Sequence, residues 1–473
     1  MYKRHNGQIS IFDEPEFFGT IPLNPKNEWV RLGKLIPWTE FEERYAENFK
    51  SATGQPAISG RMALASVLIK QRYKASDDDV IAEIAMNPYL QHFLGLQQFQ
   101  YDAPFSASMM SRFRQRITPE MLAWINDYIA DRPEEKDDSD DGQSGGHKSK
   151  DNEGTLILDA TCAPQNIRFP TDVSLLNEAR LNTEEIIDRL YESDAFEDKK
   201  PRTYRQIAKN QYNSFSKARK KTRKMVRKAT RQQLGYLKRN LKTICAIDEK
   251  LREALLPAKL RERLSVVETL YAQQKEMFEN GTHRIDERIV SLSQPWVRPI
   301  VRGKQNAPVE FGAKVEMSVV NGYLRIEDLR WDAFNESTTL QISIESYRRA
   351  YGHYPARVLA DTIFRTRENL RYCKEHGIHI NGPHLGKRPD DVSAYRKQLR
   401  EEWLESGERG EIERQFGVAK RRYSLGCVVM KLKHTSEVDI YASVLAMNLW
   451  KKLRLLFAQI YNFLFGALQP AAF

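Results

Sequence analysis

Three carboxylates and a set of bases carry the chemistry this sequence offers. Asp159 follows the apolar, β-forming run 155–158, which reads as a buried strand with the acid at its end. Asp361 closes a second short apolar run, Ala-Arg-Val-Leu-Ala-Asp-Thr. A carboxylate ending a buried strand is costly unless it is paired or holds a metal; a turn cap is the ordinary alternative. Glu413 lies in the stretch RGEIERQFGVAKRRYSLG, residues 409–426, where Arg409, Glu413 and Lys420 follow the spacing R-x3-E-x6-K. Steps of four and seven residues return to nearly the same helical angle, so the three share one face with Gly417 between them. Taken alone, such a stripe reads first as a solvated charged face.

The rest of the chain supplies elements that could gather these acids. Magnesium prefers oxygen ligands and binds through a few carboxylates plus water and substrate phosphate. Two such ions about 3.5–4 Å apart suit an in-line phosphoryl displacement. That chemistry needs carboxylates from separate elements at one sheet edge. The order along the chain is strand with Asp159, a long helical stretch, a hairpin, a helix, strand with Asp361, helix, strand, and the helix of Glu413. Asn321-Gly322 between two alternating runs predicts a two-residue hairpin turn, and Gly377 predicts a helix end. A mixed sheet with two acids at strand ends and a third on a late helix is the layout of an RNase H-like fold. Asp332 and Glu336, in WDAFNE, lie close to it and read as caps of the following helix, or else as neighbours of the site or DNA contacts.

Charge points to the partner. The 473 residues carry 74 Lys plus Arg against 63 Asp plus Glu, a net charge of +11, which favours a polyanion. Residues 199–242 hold 17 Lys or Arg and no acid, so the remainder of the chain nets 11 − 17 = −6. Their spacing among Tyr204, Phe215, Leu234, Leu237 and Leu241 predicts a long helix or helix pair with an apolar seam and a basic surface. Like charges at this density self-repel unless a polyanion screens them. The candidates for contact with the nucleic-acid backbone are Lys217, Arg219, Lys220, Lys221, Arg223, Lys224, Arg227 and Lys228. Phosphate contact carries affinity rather than sequence preference. Near the N-terminus, the helix holding Arg112, Arg114 and Arg116 reads either as a DNA-contacting helix of a helix-turn-helix-like unit or as an amphipathic helix with solvated arginines.

Other features narrow the class. Cys162, Cys245, Cys373 and Cys427 are scattered without a CxxC, which fits a reducing cytosol. Cys373, His376, His379 and His384 are a weak zinc pattern. No secretory signal opens the chain, and its most apolar segment, 436–466, contains Lys451, Lys452 and Arg454, so a buried or interface helix is expected rather than a membrane span. Its apolar residues, among them Val444, Leu449 and Leu453, are expected to pack on the core, with a dimer interface as the alternative.

Asp159 in LILDAT, Asp361 in VLADT and the Arg409–Glu413–Lys420 spacing together resemble the DDE transposases of bacterial insertion sequences. The nearest group has its glutamate in a Y-x2-R-x3-E-x6-K signature; GRMALASVLIKQ and RPIVRGKQNAPVEFGAKVEMSVVNG resemble other parts of it. The signature's Tyr is replaced by Ser406. The resemblance implies that Asp159, Asp361 and Glu413 are the catalytic metal ligands, for Mg²⁺ with Mn²⁺ as substitute. Arg409 and Lys420, flanked by Arg421 and Arg422, would hold DNA phosphates, Gly417 would permit close approach, and a Glu413 buried between two bases would stay ionised. The implied reaction is cleavage at the element ends followed by 3′-OH strand transfer into target DNA. The partners would be double-stranded DNA and a second copy of the chain. The expected fold is α/β, an RNase H-like mixed-sheet core at 154–174 and 293–426 split by a basic helical insertion at 175–292. An all-α DNA-binding domain at 1–130, a disordered linker at 131–153 and a C-terminal helical segment at 427–473 would complete it, in a cytoplasmic, nucleoid-associated protein. A catalytically silent DNA-binding relic or domesticated copy, and an RNase H-like nuclease without strand transfer, are the alternatives.

Overall fold

A computed structural model describes residues 22–49, 56–132, 152–192, 200–247, 249–301, 309–383 and 391–465. Most of the expected linker, and His384, lie outside these residues. The chain divides into two compact units. The first comprises 1–164, 314–330 and 334–473; the second comprises 165–313 and 331–333.

Among the described residues, the first unit opens with seven helices: α1 (Glu28–Leu35), α2 (Trp38–Ala46), α3 (Gly60–Tyr73), α4 (Asp77–Met86), α5 (Pro88–Phe93), α6 (Ala107–Arg116) and α7 (Pro119–Ile129). The Ser-Asp-Asp-Asp start of α4 forms a capping box, with Ser76 Oγ accepting from the Asp79 amide at 3.1 Å and Asp79 accepting from the Ser76 amide at 3.2 Å. Asp77 in that first turn binds Arg114 through two hydrogen bonds, 3.0 and 2.5 Å, and Lys70 at 2.9 Å. Arg114 is therefore a buried structural partner and not a solvated or DNA-contacting arginine; Arg112 on the same helix is exposed.

The strands are β1 (Thr155–Pro164), β2 (Arg298–Val301), β3 (Val309–Val320), β4 (Tyr323–Arg330), β5 (Arg357–Leu359) and β6 (His379–Ile380). β1 is longer than its apolar run suggested. Asp159 sits in the middle of it, because Ala160, Cys162 and Ala163 continue the buried pattern beyond the acid. In the first unit the sheet is mixed: β3, β1, β5 and β6 lie in that order, β4 pairs antiparallel with β3, and β1–β5 and β5–β6 are parallel. The β3–β4 turn is the expected Asn321-Gly322, both with positive φ (51° and 80°).

The even-numbered face of β1 and β5 is apolar. Leu156, Leu158, Val358 and Ala360 pack with α13 (Leu340–Tyr351) and α14 (Arg367–Glu375) through Leu340, Ile344, Tyr347 and Cys373. Cys373 is thus a core thiol, its pKa pushed by burial up to about 11. Among the described residues no three His, Cys, Asp or Glu side chains form a metal-holding group. Side chains alternate across a strand, so Thr155, Asp159 and Arg357 face the other way, toward α15 (Val392–Arg422), which packs on β1 and β5.

The last helix, α16 (Lys433–Phe465), packs against α3, α6, α7 and β4 and buries Val444, Leu445, Leu449 and Leu453, as its stripe predicted. Asn448 fixes its register: its amide donates to the Leu324 carbonyl and to Asn126, both at 2.7 Å, joining α16, β4 and α7. No helix among the described residues is long and apolar enough to cross a membrane.

The second unit is built on α8 (Asp172–Tyr191), α10 (Arg223–Cys245) and α12 (Ala258–Asn280), with α9 (Arg205–Lys217) against α10 and α11 (Glu249–Leu255) against α8. Leu176, Ile187, Leu237, Leu241, Val267 and Leu270 form its core. β2 pairs antiparallel with the start of β3, Val301 opposite Val309.

Candidate active site and basic surface

The register of the parallel strands brings two of the acids together. β1 and β5 pair Thr155 with Arg357 and Ile157 with Leu359, a constant offset of 357 − 155 = 202 residues. Asp159 and Asp361 have the same offset, 361 − 159 = 202, two residues beyond the last paired residues, and Asp361 lies close enough to raise the pKa of Asp159. Adjacent strands lie about 4.8 Å apart. Asp361 has left the strand by then. It caps the 3₁₀ turn Thr362–Phe364, accepting from the Thr362 amide at 2.6 Å. Asn381, after β6, holds the strand end in place by accepting from the Ala360 amide at 2.7 Å.

Helix α15 brings the third acid. Ile412, Phe416 and Ala419 are its buried stripe. Arg357, which also donates to Thr155, pairs with Glu408 at 2.9 Å, and His379 pairs with Glu405 at 2.5 Å, clamping the helix to β5 and β6. One turn on, Arg409 reaches Glu413 Oε1 at 3.1 Å and Asp159 Oδ2 at 4.0 Å. The guanidinium thereby spans two acids of the expected triad. Glu413 itself is not buried between bases: its side chain is 58% exposed, because it stands at the solvent edge of the Ile412–Phe416 stripe. Lys420 is half-buried and Arg421 and Arg422 are exposed. A Cβ on Gly417 would come within 3.2 Å of the Arg421 guanidinium, so the glycine leaves room for that side chain.

Asp159 is the strained member. Burial pushes its pKa up to about 6, helped by repulsion from Glu336 and Asp361 and opposed by the Ala160 amide and Arg409. Glu336 opens the 3₁₀ turn Glu336–Thr338 and pairs with Lys314 at 2.8 Å. Asn369 donates to the carbonyls of Ser337 (2.7 Å) and Phe364 (2.9 Å), tying this turn to the one that Asp361 caps. The sequence named Glu336 only as a cap or neighbour and passed over Lys314, Asn369 and Asn381. A lysine inside the apolar alternation of β3 was the one available signal.

In the second unit, all eight arm residues from Lys217 to Lys228 are exposed, and none forms an ion pair with an acid among the described residues. Lys217 ends α9, Arg219, Lys220 and Lys221 make the turn, and Arg223, Lys224, Arg227 and Lys228 occupy the first turns of α10. Cations there oppose the helix dipole, which favours anions at an N-terminus. The arrangement costs stability unless an external anion offsets it.

Comparison with known proteins agrees with these features. A family model described as a transposase DDE domain matches residues 358–450, and one described as a transposase domain matches 20–116. An uncharacterized protein, ORF8 in the nfe locus of Rhizobium meliloti, is 31% identical over 157 residues, covering 33% of this chain and 71% of that protein. No solved structure matches the chain. The chain belongs to the DDE transposases of insertion sequences. It is therefore a DNA-binding, DNA-processing enzyme of a family whose catalytic domain works with divalent metal ions.

The donor chemistry of the expected acids suits such an ion, although among the described residues no three acids, His or Cys form a group that could hold one. Asp159, Asp361 and Glu413 offer only carboxylate oxygen, the donor that hard divalent cations select. The buried one is held in an environment that disfavours its charge, which a cation would relieve.

Proposed function

We propose that this transposase cuts DNA at the ends of its element and joins the freed 3′-OH to target DNA, with Asp159, Asp361 and Glu413 as the metal-holding acids of an RNase H-like core. The shared 202-residue offset of Asp159 and Asp361, with Arg409 linking Asp159 to Glu413, is the observation that carries the reading. Magnesium, or manganese in its place, would supply Lewis-acid stabilisation of charge on the reacting phosphate. The chain does the rest. Arg409, Lys420, Arg421 and Arg422 bind and orient phosphates beside the acids, and the arm 217–228 holds the backbone without reading bases. Residues 1–130 serve as a further DNA-binding domain, and two copies hold the two element ends.

The test is a cleavage assay on a duplex carrying the inverted repeats that flank the gene, comparing the natural chain with Glu413→Gln. Natural protein that nicks at the repeat boundary beside a variant that binds but does not cut upholds the reading. Binding without cutting by both, in Mg²⁺ and in Mn²⁺, makes the chain a DNA-binding relic. Cutting without capture of a labelled end into plasmid makes it a nuclease.

A further inference from the structure

The Arg409 guanidinium lies where it serves two carboxylates at once. It sits 3.1 Å from Glu413 on its own helix and 4.0 Å from Asp159 on β1, and its side chain is only 22% exposed. Arginine stays charged at any pH a protein meets, and its planar fork suits bidentate partners. A divalent cation held by Asp159 and Glu413 would draw on the same oxygens. Two cations so close would repel each other, so the arginine would have to give up its partners for the ion to be held there. A DNA phosphate offers that fork two oxygens for a bidentate pair, which the contacts at 3.1 and 4.0 Å to two separate carboxylates do not.

We propose that Arg409 and the divalent cation compete for Asp159 and Glu413, so that DNA, by drawing Arg409 onto a phosphate, raises the affinity of the acids for the ion. Arg409 is then more than a phosphate clamp. It couples loading of the ion to the presence of substrate. By linkage the coupling is reciprocal: the ion releases Arg409 and tightens DNA binding by the same factor. The inference rests on the reading of Asp159 and Glu413 as metal-holding acids, and its test separates the two.

The measurement is Mn²⁺ binding without turnover, read from the electron paramagnetic resonance signal of free Mn²⁺, on the full chain with and without saturating duplex DNA. The natural chain should bind Mn²⁺ more tightly with DNA than without. In the absence of DNA, Arg409→Gln should bind it more tightly than the natural chain by about fivefold or more, the low end of measured coupling between ligands, and DNA should then add little. Arg409→Lys keeps the charge but not the fork, and should fall between the two; it serves if the glutamine variant folds poorly. Unchanged Mn²⁺ affinity in both variants, with binding lost in Asp159→Asn, overturns the competition and leaves the metal site standing. Undiminished binding in Asp159→Asn overturns both.

Discussion

Replacing Asp159 with Asn should stabilise the protein at alkaline pH while abolishing cleavage. Burial and the neighbouring acids hold the folded carboxyl at about 6, against 3.8 when unperturbed. The folded state thus binds the proton more tightly than the unfolded state does. Stability is fully retained below the unfolded pKa and falls as pH rises through the folded one. Integrating that difference gives a penalty of about 1 kcal/mol at pH 4.5 and about 3 kcal/mol at pH 8. Asparagine keeps an oxygen for the Ala160 amide (2.8 Å in the natural chain) and carries no charge. Urea unfolding of both proteins, followed by tryptophan fluorescence at the two pH values, should show the variant ahead by an amount that grows with pH. Glu316 and Asp439, whose pKa values burial raises to about 7 and about 6, are common to both proteins and cancel in the comparison. Added Mg²⁺ should narrow the gap at pH 8 by stabilising only the natural chain, since an ion that binds the folded state alone stabilises it by mass action. A difference that is the same at both pH values, or a variant less stable than the natural chain at pH 8, would refute the reasoning.

Two further outcomes follow from the charges. Neutralising Lys220, Lys221, Lys224 and Lys228 together should weaken duplex binding and reduce the slope of log affinity against log salt by about 0.9 for each phosphate the arm no longer neutralises; an unchanged slope in a fluorescence-anisotropy titration removes the arm from the interface. Arg114→Ala should cost about 2 kcal/mol of stability by removing the two charged hydrogen bonds to Asp77, which keeps only Lys70 as a partner, whereas Arg112→Ala should leave the thermal unfolding midpoint within about one degree. Equal effects of the two on calorimetric stability would contradict the buried pairing.

Much of this protein was legible in local chemistry. Asn321-Gly322 specifies its turn because few dipeptides accept two positive φ values in succession. The apolar stripe of α16 announces burial, and the acid-free run 199–242 announces an exposed basic surface, since both signals depend only on residue type and helical spacing. The R-x3-E-x6-K spacing identified one helical face. What the spacing left open was which partners that face would meet. The approach of Asp361 to Asp159 depends on strand register, a pairing between residues 202 positions apart. The full length of β1 depends on Ala160, Cys162 and Ala163 finding a covered environment beyond the acid. The exposure of Glu413 follows from how Ile412 and Phe416 turn the helix against the sheet. Arg114 carries the same charge as Arg112, but only the packed helices bring Asp77 to it. Residue types and periodicity determined the elements and the kinds of charge they carry. Long-range packing decided which charges meet, because pair energies depend on distance and burial that no local spacing contains.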